Sequence, residues 1–100
     1  MTDATTLDLA ERLRRTIRDI PDFPKPGILF KDITPVLSEP SLYAAVVDHL
    51  AAAHAAMEID RVVGIEARGF LFAAPLAVRL GAGFVPVRKP GKLPHRTVRV

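Results

Sequence analysis

Apolar residues recur every three or four positions in two stretches of the chain, which predicts two amphipathic helices. The first runs from about Thr6 to Asp19 and should end before Pro21, because the residue before a proline is pushed out of the helical region. The second should begin after Ser38, its predicted N-cap. The apolar stripes consist of Leu9, Leu13, Ile17 and Ile20 in the first helix and of Leu42, Val46, Leu50, Ala53 and Met57 in the second.

The segment between these helices, Pro21 to Pro35, has four prolines and an apolar cluster of Ile28, Leu29 and Phe30. We predict no regular element there, but prolines restrict the backbone, so an irregular segment can still hold a defined shape. Two interpretations remain open from these residues alone. The segment is either a rigid connector packed on the core or a cover over a ligand.

The pattern changes after Asp60 to a short β-branched strand, Arg61 to Ile65, of the kind found in buried parallel sheets. A loop at Glu66 to Gly69 leads into an apolar helix, Phe70 to Leu80, which Gly81 can terminate. A second strand is predicted at Phe84 to Arg88. Strand, helix and strand within about thirty residues predict a right-handed βαβ unit, and hence an α/β fold with a parallel sheet.

Two parallel strands cannot cover both faces of a sheet, so we expect the chain to be part of a larger sheet. Residues Thr97 to Val100 have the pattern of another strand at its beginning. The predicted domain organisation is a single domain, in which residues 1–35 form the N-terminal helix and the proline-rich segment and residues 36–100 form the second helix and the βαβ unit.

The composition excludes several classes of protein. With 100 residues, 49% of them hydrophobic, the chain is long enough for one small core. No apolar run approaches the roughly 18 residues that a membrane span needs, and the acidic start does not resemble a signal peptide, so a cytoplasmic location is expected. Because there is no cysteine, the chain has no disulfide framework, thiolate zinc site or cysteine nucleophile.

The charges are distributed unevenly along the chain. All 11 acidic residues lie between Asp3 and Glu66, and every charged side chain after Glu66 is basic. Those cations are Arg68, Arg79, Arg88, Lys89, Lys92, Arg96 and Arg99. Such a field favours an anionic partner, either a nucleic acid backbone or a phosphorylated small molecule. An acidic continuation of the chain would be the alternative explanation.

The loop from Glu66 to Gly69 is the strongest candidate for an anion site. A loop that leaves a parallel strand and opens a helix is a usual ligand position, because the helix N-terminus offers N–H groups and a positive dipole. Arg68 adds bidentate capacity for phosphate, and Gly69 would allow the backbone to approach a ligand closely. Arg68 as an ordinary surface residue remains the alternative.

Three segments in this order and spacing resemble the adenine phosphoribosyltransferases: residues 21–35, residues 64–72 and residues 88–94. The resemblance covers nearly the whole chain from Pro21 onward. It implies the N-terminal part of a type I phosphoribosyltransferase fold, a parallel Rossmann-like sheet with a small hood. It also implies transfer of the phosphoribosyl group of 5-phosphoribosyl 1-diphosphate to adenine, giving AMP and diphosphate in purine salvage.

The resemblance also implies roles for individual residues. The hood positions Leu29, Phe30 and Lys31 would bind adenine. The strand-end loop, with a cis peptide bond between Glu66 and Ala67, and the cations after the second strand would bind diphosphate. These diphosphate positions are Glu66, Ala67, Arg68, Gly69, Arg88, Lys89 and Lys92. The family further implies a homodimer and Mg²⁺ that accompanies the diphosphate substrate.

The phosphoribosyl signature of the family, two aspartates before a glycine-rich turn, is absent, as is the mobile-loop glutamate. We therefore expect the catalytic group to lie after Val100 and this chain alone to be inactive. The alternative function is a purine-sensing or nucleic-acid-binding module that keeps the fold without catalysis. Nucleic acid is the less favoured partner, because Phe84 is the only aromatic residue near the basic tail.

Overall fold

In the computed structural model, residues 2–98 are described, with side chains described from residue 8 onward. They form two compact units that divide between Val46 and Val47. The organisation predicted above, a single domain with segments 1–35 and 36–100, stays a prediction.

The first unit begins with helix α1, Thr2–Thr16, followed by strand β1, Arg18–Pro21. The prediction that the first helix continues to Asp19 is therefore wrong. Residues 18–21 have an extended partner, strand β2 at Leu29–Asp32, and they form antiparallel pairs with it. These ladder hydrogen bonds, which depend on a distant segment, override the local helical pattern.

The proline-rich segment contains more regular structure than its sequence predicts. Strand β2 falls inside it, and the short helix α2, Thr34–Leu37, follows immediately. In the β1–β2 hairpin Ile20 pairs with Phe30 and Pro21 with Leu29. The prolines lie where they do not interrupt the ladder, at the end of β1, in the connecting loop and in α2. The prediction of an irregular segment is therefore wrong for Pro21 and for residues 29–32 and 34–35.

Helix α3, Pro40–Ala53, confirms the second predicted helix, but its start and end differ from the prediction. Ser38 is not its N-cap, because the hydroxyl of Ser38 donates to the carbonyl of Thr34 at 3.0 Å and closes helix α2. Met57 lies beyond the helix and is 62% exposed, so it is not part of a buried stripe. Val36 and Leu42, each 1% exposed, are the most deeply buried large side chains of the first unit.

The second unit contains the predicted parallel strand, helix and strand. Strand β3 is Arg61–Ile65, helix α4 is Phe70–Leu80 and strand β4 is Gly83–Val87. The strands are parallel, with Val62 opposite Phe84. Gly81 ends α4 in the left-handed region at φ 70°, which glycine adopts without a steric penalty. Strand β4 begins and ends one residue earlier than predicted.

Helix α4 covers one face of this two-stranded sheet. A Cβ atom added at Gly64 would lie 2.7 Å from the ring of Phe84 and 2.8 Å from Cβ of Ala73, which shows how closely the helix and the strands approach. The opposite face is exposed and apolar. It presents Val63 at 58%, Ile65 at 67%, Val85 at 39% and Val87 at 45% exposure.

The predicted strand at Thr97 to Val100 lies partly outside the described residues. Thr97 and Val98 have no regular secondary structure, and Arg99 and Val100 are not described. Within residues 2–98, no helix has both the length and the apolar character needed to cross a bilayer.

Candidate functional site

The loop of the β1–β2 hairpin is held in a defined shape by its own hydrogen bonds. Asp22 adopts a left-handed φ of 56°, and its Oδ1 accepts a hydrogen bond from the N–H of Gly27 at 2.8 Å. The N–H of Phe23 donates to the carbonyl of Ile28 at 3.1 Å. Aspartate tolerates this backbone conformation because its short side chain can bond locally to the main chain. The loop is therefore ordered although it is exposed.

Three apolar side chains of this hairpin are presented to solvent. Phe23 is 50% exposed, Ile28 is 44% exposed and Leu29 is 52% exposed. The ring of Phe23 meets the ring of Phe30 edge to face, with centroids 5.3 Å apart. Exposed apolar side chains and an aromatic ring suit contact with the face of a flat heterocycle, which leaves its polar edge free for hydrogen bonds.

Lys31, one of the residues predicted to bind adenine, is on strand β2 opposite Asp19. Its ammonium group forms a cross-strand ion pair with Oδ1 of Asp19 at 2.6 Å. The side chain of Lys31 thus has a partner inside the hairpin. Binding of adenine by Leu29, Phe30 and Lys31 stays a prediction.

The second predicted segment is the turn of residues 66–69, at the carboxyl end of β3 and the start of α4. The Glu66–Ala67 peptide bond is cis, as the resemblance implies. A Cβ atom at Gly69 would lie 2.5 Å from the carbonyl oxygen of Ile65. Glycine is thus required here because the start of the helix packs closely against the end of the strand, and the approach of a ligand to Gly69 stays a prediction.

Glu66 joins this turn to the segment that follows β4. Its Oε1 accepts a hydrogen bond from the backbone N–H of Lys89 at 3.0 Å and another from Nε of Arg88 at 3.2 Å. The N–H of Lys89, together with the positive charges of Arg88 and Lys92, lowers the pKa of Glu66, while desolvation acts in the opposite direction. Glu66 is therefore a carboxylate at neutral pH, and its charge is balanced inside the protein.

Arg88 is held from three directions. Besides its bond to Glu66, its Nη1 lies 3.5 Å from the carbonyl oxygen of Lys92, and its guanidinium lies over the ring of Phe70, 5.9 Å from the centroid. The ring of Phe70 in turn meets that of Phe84 edge to face at 5.6 Å. The segment 88–92 is thereby fastened to the beginning of helix α4.

The structure thus brings Glu66, Arg88, Lys89 and Lys92 to the carboxyl end of the parallel sheet, where the sequence predicts an anion site. Arg68 lies in the turn itself, and its side chain is exposed, as are Lys89 and Lys92. Diphosphate binding by these residues stays a prediction. Among the side chains described, those of residues 8–98, no three of His, Asp or Glu cluster closely enough to hold a metal ion.

Sequence reasoning did not single out three residues that organise these segments. Asp22 closes the hairpin loop, Phe23 supports Phe30, and Phe70 lies under Arg88. An aspartate five residues before a glycine in a proline-rich turn is a signal that could have indicated the first. The two aromatic contacts have no signal in the sequence, because they join residues of different elements.

The βαβ unit with its strand-end turn and the separate hairpin define the class of protein: the chain has the N-terminal part of a type I phosphoribosyltransferase fold. A solved adenine phosphoribosyltransferase from Thermoanaerobacter pseudethanolicus matches it with a TM-score of 0.84 and 56% identity, over 89% of this chain and 53% of that one. The enzyme from Saccharomyces cerevisiae, solved with an imino-altritol 1,6-bisphosphate and adenine, matches with a TM-score of 0.82 and 45% identity, over 90% and 56%.

Sequence comparison identifies the particular relatives. The chain is 57% identical to the adenine phosphoribosyltransferase of Myxococcus xanthus over 98 residues, which are 98% of this chain and 52% of that protein. The chain is therefore homologous to the adenine phosphoribosyltransferases over nearly all its length, and it spans about half the length of the curated relatives it matches. No family model matches it.

Proposed function

We propose that this chain supplies the base-binding hairpin and the diphosphate loop of an adenine phosphoribosyltransferase. The reaction is the transfer of the phosphoribosyl group from 5-phosphoribosyl 1-diphosphate to adenine in purine salvage. The bond between C1 of the ribose and the diphosphate oxygen breaks, a bond from C1 to N9 of adenine forms, and the products are AMP and diphosphate. Adenine loses its N9 proton, and we assign no described residue to accept it.

One observation carries this proposal. The turn 66–69 at the end of β3 lies beside the cationic segment 88–92, in a chain 57% identical to an adenine phosphoribosyltransferase. The diphosphate leaving group gains negative charge as the bond to the ribose breaks. Arginine, lysine and main-chain N–H groups held in place near that charge stabilise the transition state more than the ground state.

The hairpin supports the choice of a purine as the acceptor. Half-exposed Phe23, Ile28 and Leu29 are apolar side chains available for contact, and the β1–β2 ladder keeps the backbone of β2 extended. The relative from Saccharomyces cerevisiae was solved with adenine and a bisphosphate of an imino sugar. We propose that this chain takes the corresponding pair, adenine and a phosphorylated ribose.

Mg²⁺ is proposed only as a companion of the diphosphate substrate. The carboxylate closest to the proposed diphosphate, Glu66, is already bonded to Arg88 and Lys89. A cation surrounded by arginine and lysine would be repelled, so the residues described here do not fit a metal site of their own. The oxygens of the diphosphate would therefore have to hold the ion.

We also propose that the enzyme is a cytoplasmic homodimer. Val78 of helix α4 is 81% exposed and is an apolar side chain that a contact between subunits would cover. A chain with no cysteine does not need an oxidising compartment. Sedimentation of the protein at several concentrations tests the dimer.

The proposed reaction can be tested with a chimera in which this chain is joined to the residues of the Myxococcus xanthus relative that follow the matched region. We expect the chimera to form AMP from adenine and 5-phosphoribosyl 1-diphosphate with Mg²⁺, and residues 1–100 alone to form none. Hypoxanthine and guanine serve as control acceptors. A folded chimera that uses all three bases equally would contradict the choice of adenine, and one that uses none would contradict the reaction.

A further inference from the structure

The cluster around Glu66 contains a negative charge where the proposed function requires positive ones. The Glu66 side chain is only 14% exposed, and that of its partner Arg88 is 34% exposed. A carboxylate beside a diphosphate site would weaken anion binding if it acted through its charge alone. A role other than its charge is therefore needed to explain a glutamate at position 66.

The hydrogen bonds of Glu66 indicate what that role is. A single oxygen, Oε1, joins the backbone of Lys89 and the side chain of Arg88 to the turn after β3. The N–H of Glu66 also donates to the carbonyl of Val87 at 2.9 Å, so the same residue extends the β3–β4 ladder by one bond. The backbone N–H and the side-chain carboxylate of Glu66 thus both attach the turn 66–69 to the end of β4 and to the cationic segment that follows it.

We propose that Glu66 is a positioning residue, whose carboxylate holds the segment 88–92 so that Lys89 and Lys92 face the diphosphate. This inference rests on the proposed function of the site. Without the carboxylate, the main chain at Lys89 loses its acceptor and Arg88 loses one of its three attachments. The cations would remain present but would no longer be held in one place, and binding would then have to order them.

The direction in which Glu66→Ala changes the affinity for diphosphate distinguishes this positioning role from electrostatic repulsion of the diphosphate. If Glu66 acts only by its charge, Glu66→Ala should strengthen the binding of inorganic diphosphate. If it positions the cations, Glu66→Ala should weaken binding by roughly tenfold, the equivalent of one charge-assisted hydrogen bond. Glu66→Gln, whose amide oxygen can still accept, should be weakened less than Glu66→Ala.

The experiment is an NMR titration of the chimera defined above with inorganic diphosphate. In the unmodified protein we expect the amide proton of Lys89 to shift as Glu66 is protonated in acid, and Glu66→Ala to abolish that shift. Glu58→Gln, the loss of an exposed carboxylate in the same unit, is the matched control and should change neither quantity. Thermal melts of each variant establish that it is folded.

Equal or tighter diphosphate binding by folded Glu66→Ala would overturn the proposal, and so would a Lys89 amide that is unaffected by the substitution. Failure of the proposed function looks different, because the unmodified protein would then not bind diphosphate at all. In that event the Lys89 amide still decides whether Glu66 holds the segment.

Discussion

The rings of Phe23 and Phe30 lie edge to face across the hairpin loop, with planes at 67° and centroids 5.3 Å apart. Phe30 is one of the residues proposed to bind adenine, and Phe23 contacts it from the loop closed by Asp22. The contact between these rings therefore links the shape of the loop to the surface offered to the base.

Phe23→Ala in the chimera should raise the KM for adenine and leave the KM for 5-phosphoribosyl 1-diphosphate unchanged. The loss of an aromatic pair costs about 0.5–1.5 kcal/mol beyond the loss of buried area. Steady-state kinetics with each substrate varied in turn provides the measurement. Met57→Ala, which removes an exposed side chain from the second unit, is the control. An equal rise in both KM values would show that Phe23 acts on general stability instead.

Arg68→Ala in the chimera should weaken the binding of 5-phosphoribosyl 1-diphosphate far more than that of adenine. The lost interaction is a charge-assisted pair, worth about 1.5–3 kcal/mol. Calorimetric titration with each substrate separates the two effects. Arg61→Ala, at the opposite end of β3, is the matched control and should alter neither affinity by a comparable amount. Equal losses for both substrates on Arg68→Ala would contradict the assignment.

Gly64→Ala should destabilise the second unit by about 1–3 kcal/mol, the usual cost of overpacking a core. The added methyl group would lie 2.7 Å from the ring of Phe84 and 2.8 Å from Cβ of Ala73. Urea denaturation of the chimera measures the change. The control is Gly81→Asn, at a left-handed position where an added Cβ would meet no atom within 4 Å outside its chain neighbours and where asparagine is tolerated. Stability unchanged by Gly64→Ala would mean that α4 packs less closely on the strands.

Glu66 should make stability depend on pH in acid. Its pKa in the folded protein is below the ordinary value of 4.5, because it accepts from the N–H of Lys89 and lies near Arg88 and Lys92. The stability it contributes is therefore present above pH 4.5 and lost as the pH falls through the folded pKa. The free energy of unfolding of the chimera and of its Glu66→Gln variant, measured by urea denaturation across pH, should differ at neutral pH and converge in acid. A difference that stays constant with pH would contradict this assignment.

Residues 1–100 alone should associate or melt without a cooperative transition. One face of the β3–β4 sheet exposes Val63, Ile65, Val85 and Val87, and burial of each such side chain is worth about 1.5–3 kcal/mol. That sum is comparable to the roughly 5–15 kcal/mol of net stability that a domain has. Val63→Lys should reduce association measured by sedimentation. A monodisperse monomer with a cooperative melt would refute this prediction.

The β3–α4–β4 unit could be predicted almost residue by residue, because its signals are local. A β-branched run, a glycine-containing turn, an apolar helix and a terminating glycine follow each other directly, and each depends on neighbours in the chain. The candidate anion site could be predicted for the same reason. The turn and the cations occupy fixed positions relative to two strands whose carboxyl ends meet at one edge.

The N-terminal hairpin could not be predicted, since its strands exist only through each other. Arg18 and Asp19 continue the helical pattern of the residues before them, but Arg18–Pro21 is a strand because Leu29–Asp32 pairs with it. The same reason applies to the bond from Lys89 to Glu66, which joins residues 23 positions apart. The sequence alone determined the local elements and the residue types of the candidate site, through periodicity and turn residues. Which strands pair and which side chains form hydrogen bonds or ring contacts was decided by the tertiary structure, because these depend on distance in space and not on distance along the chain.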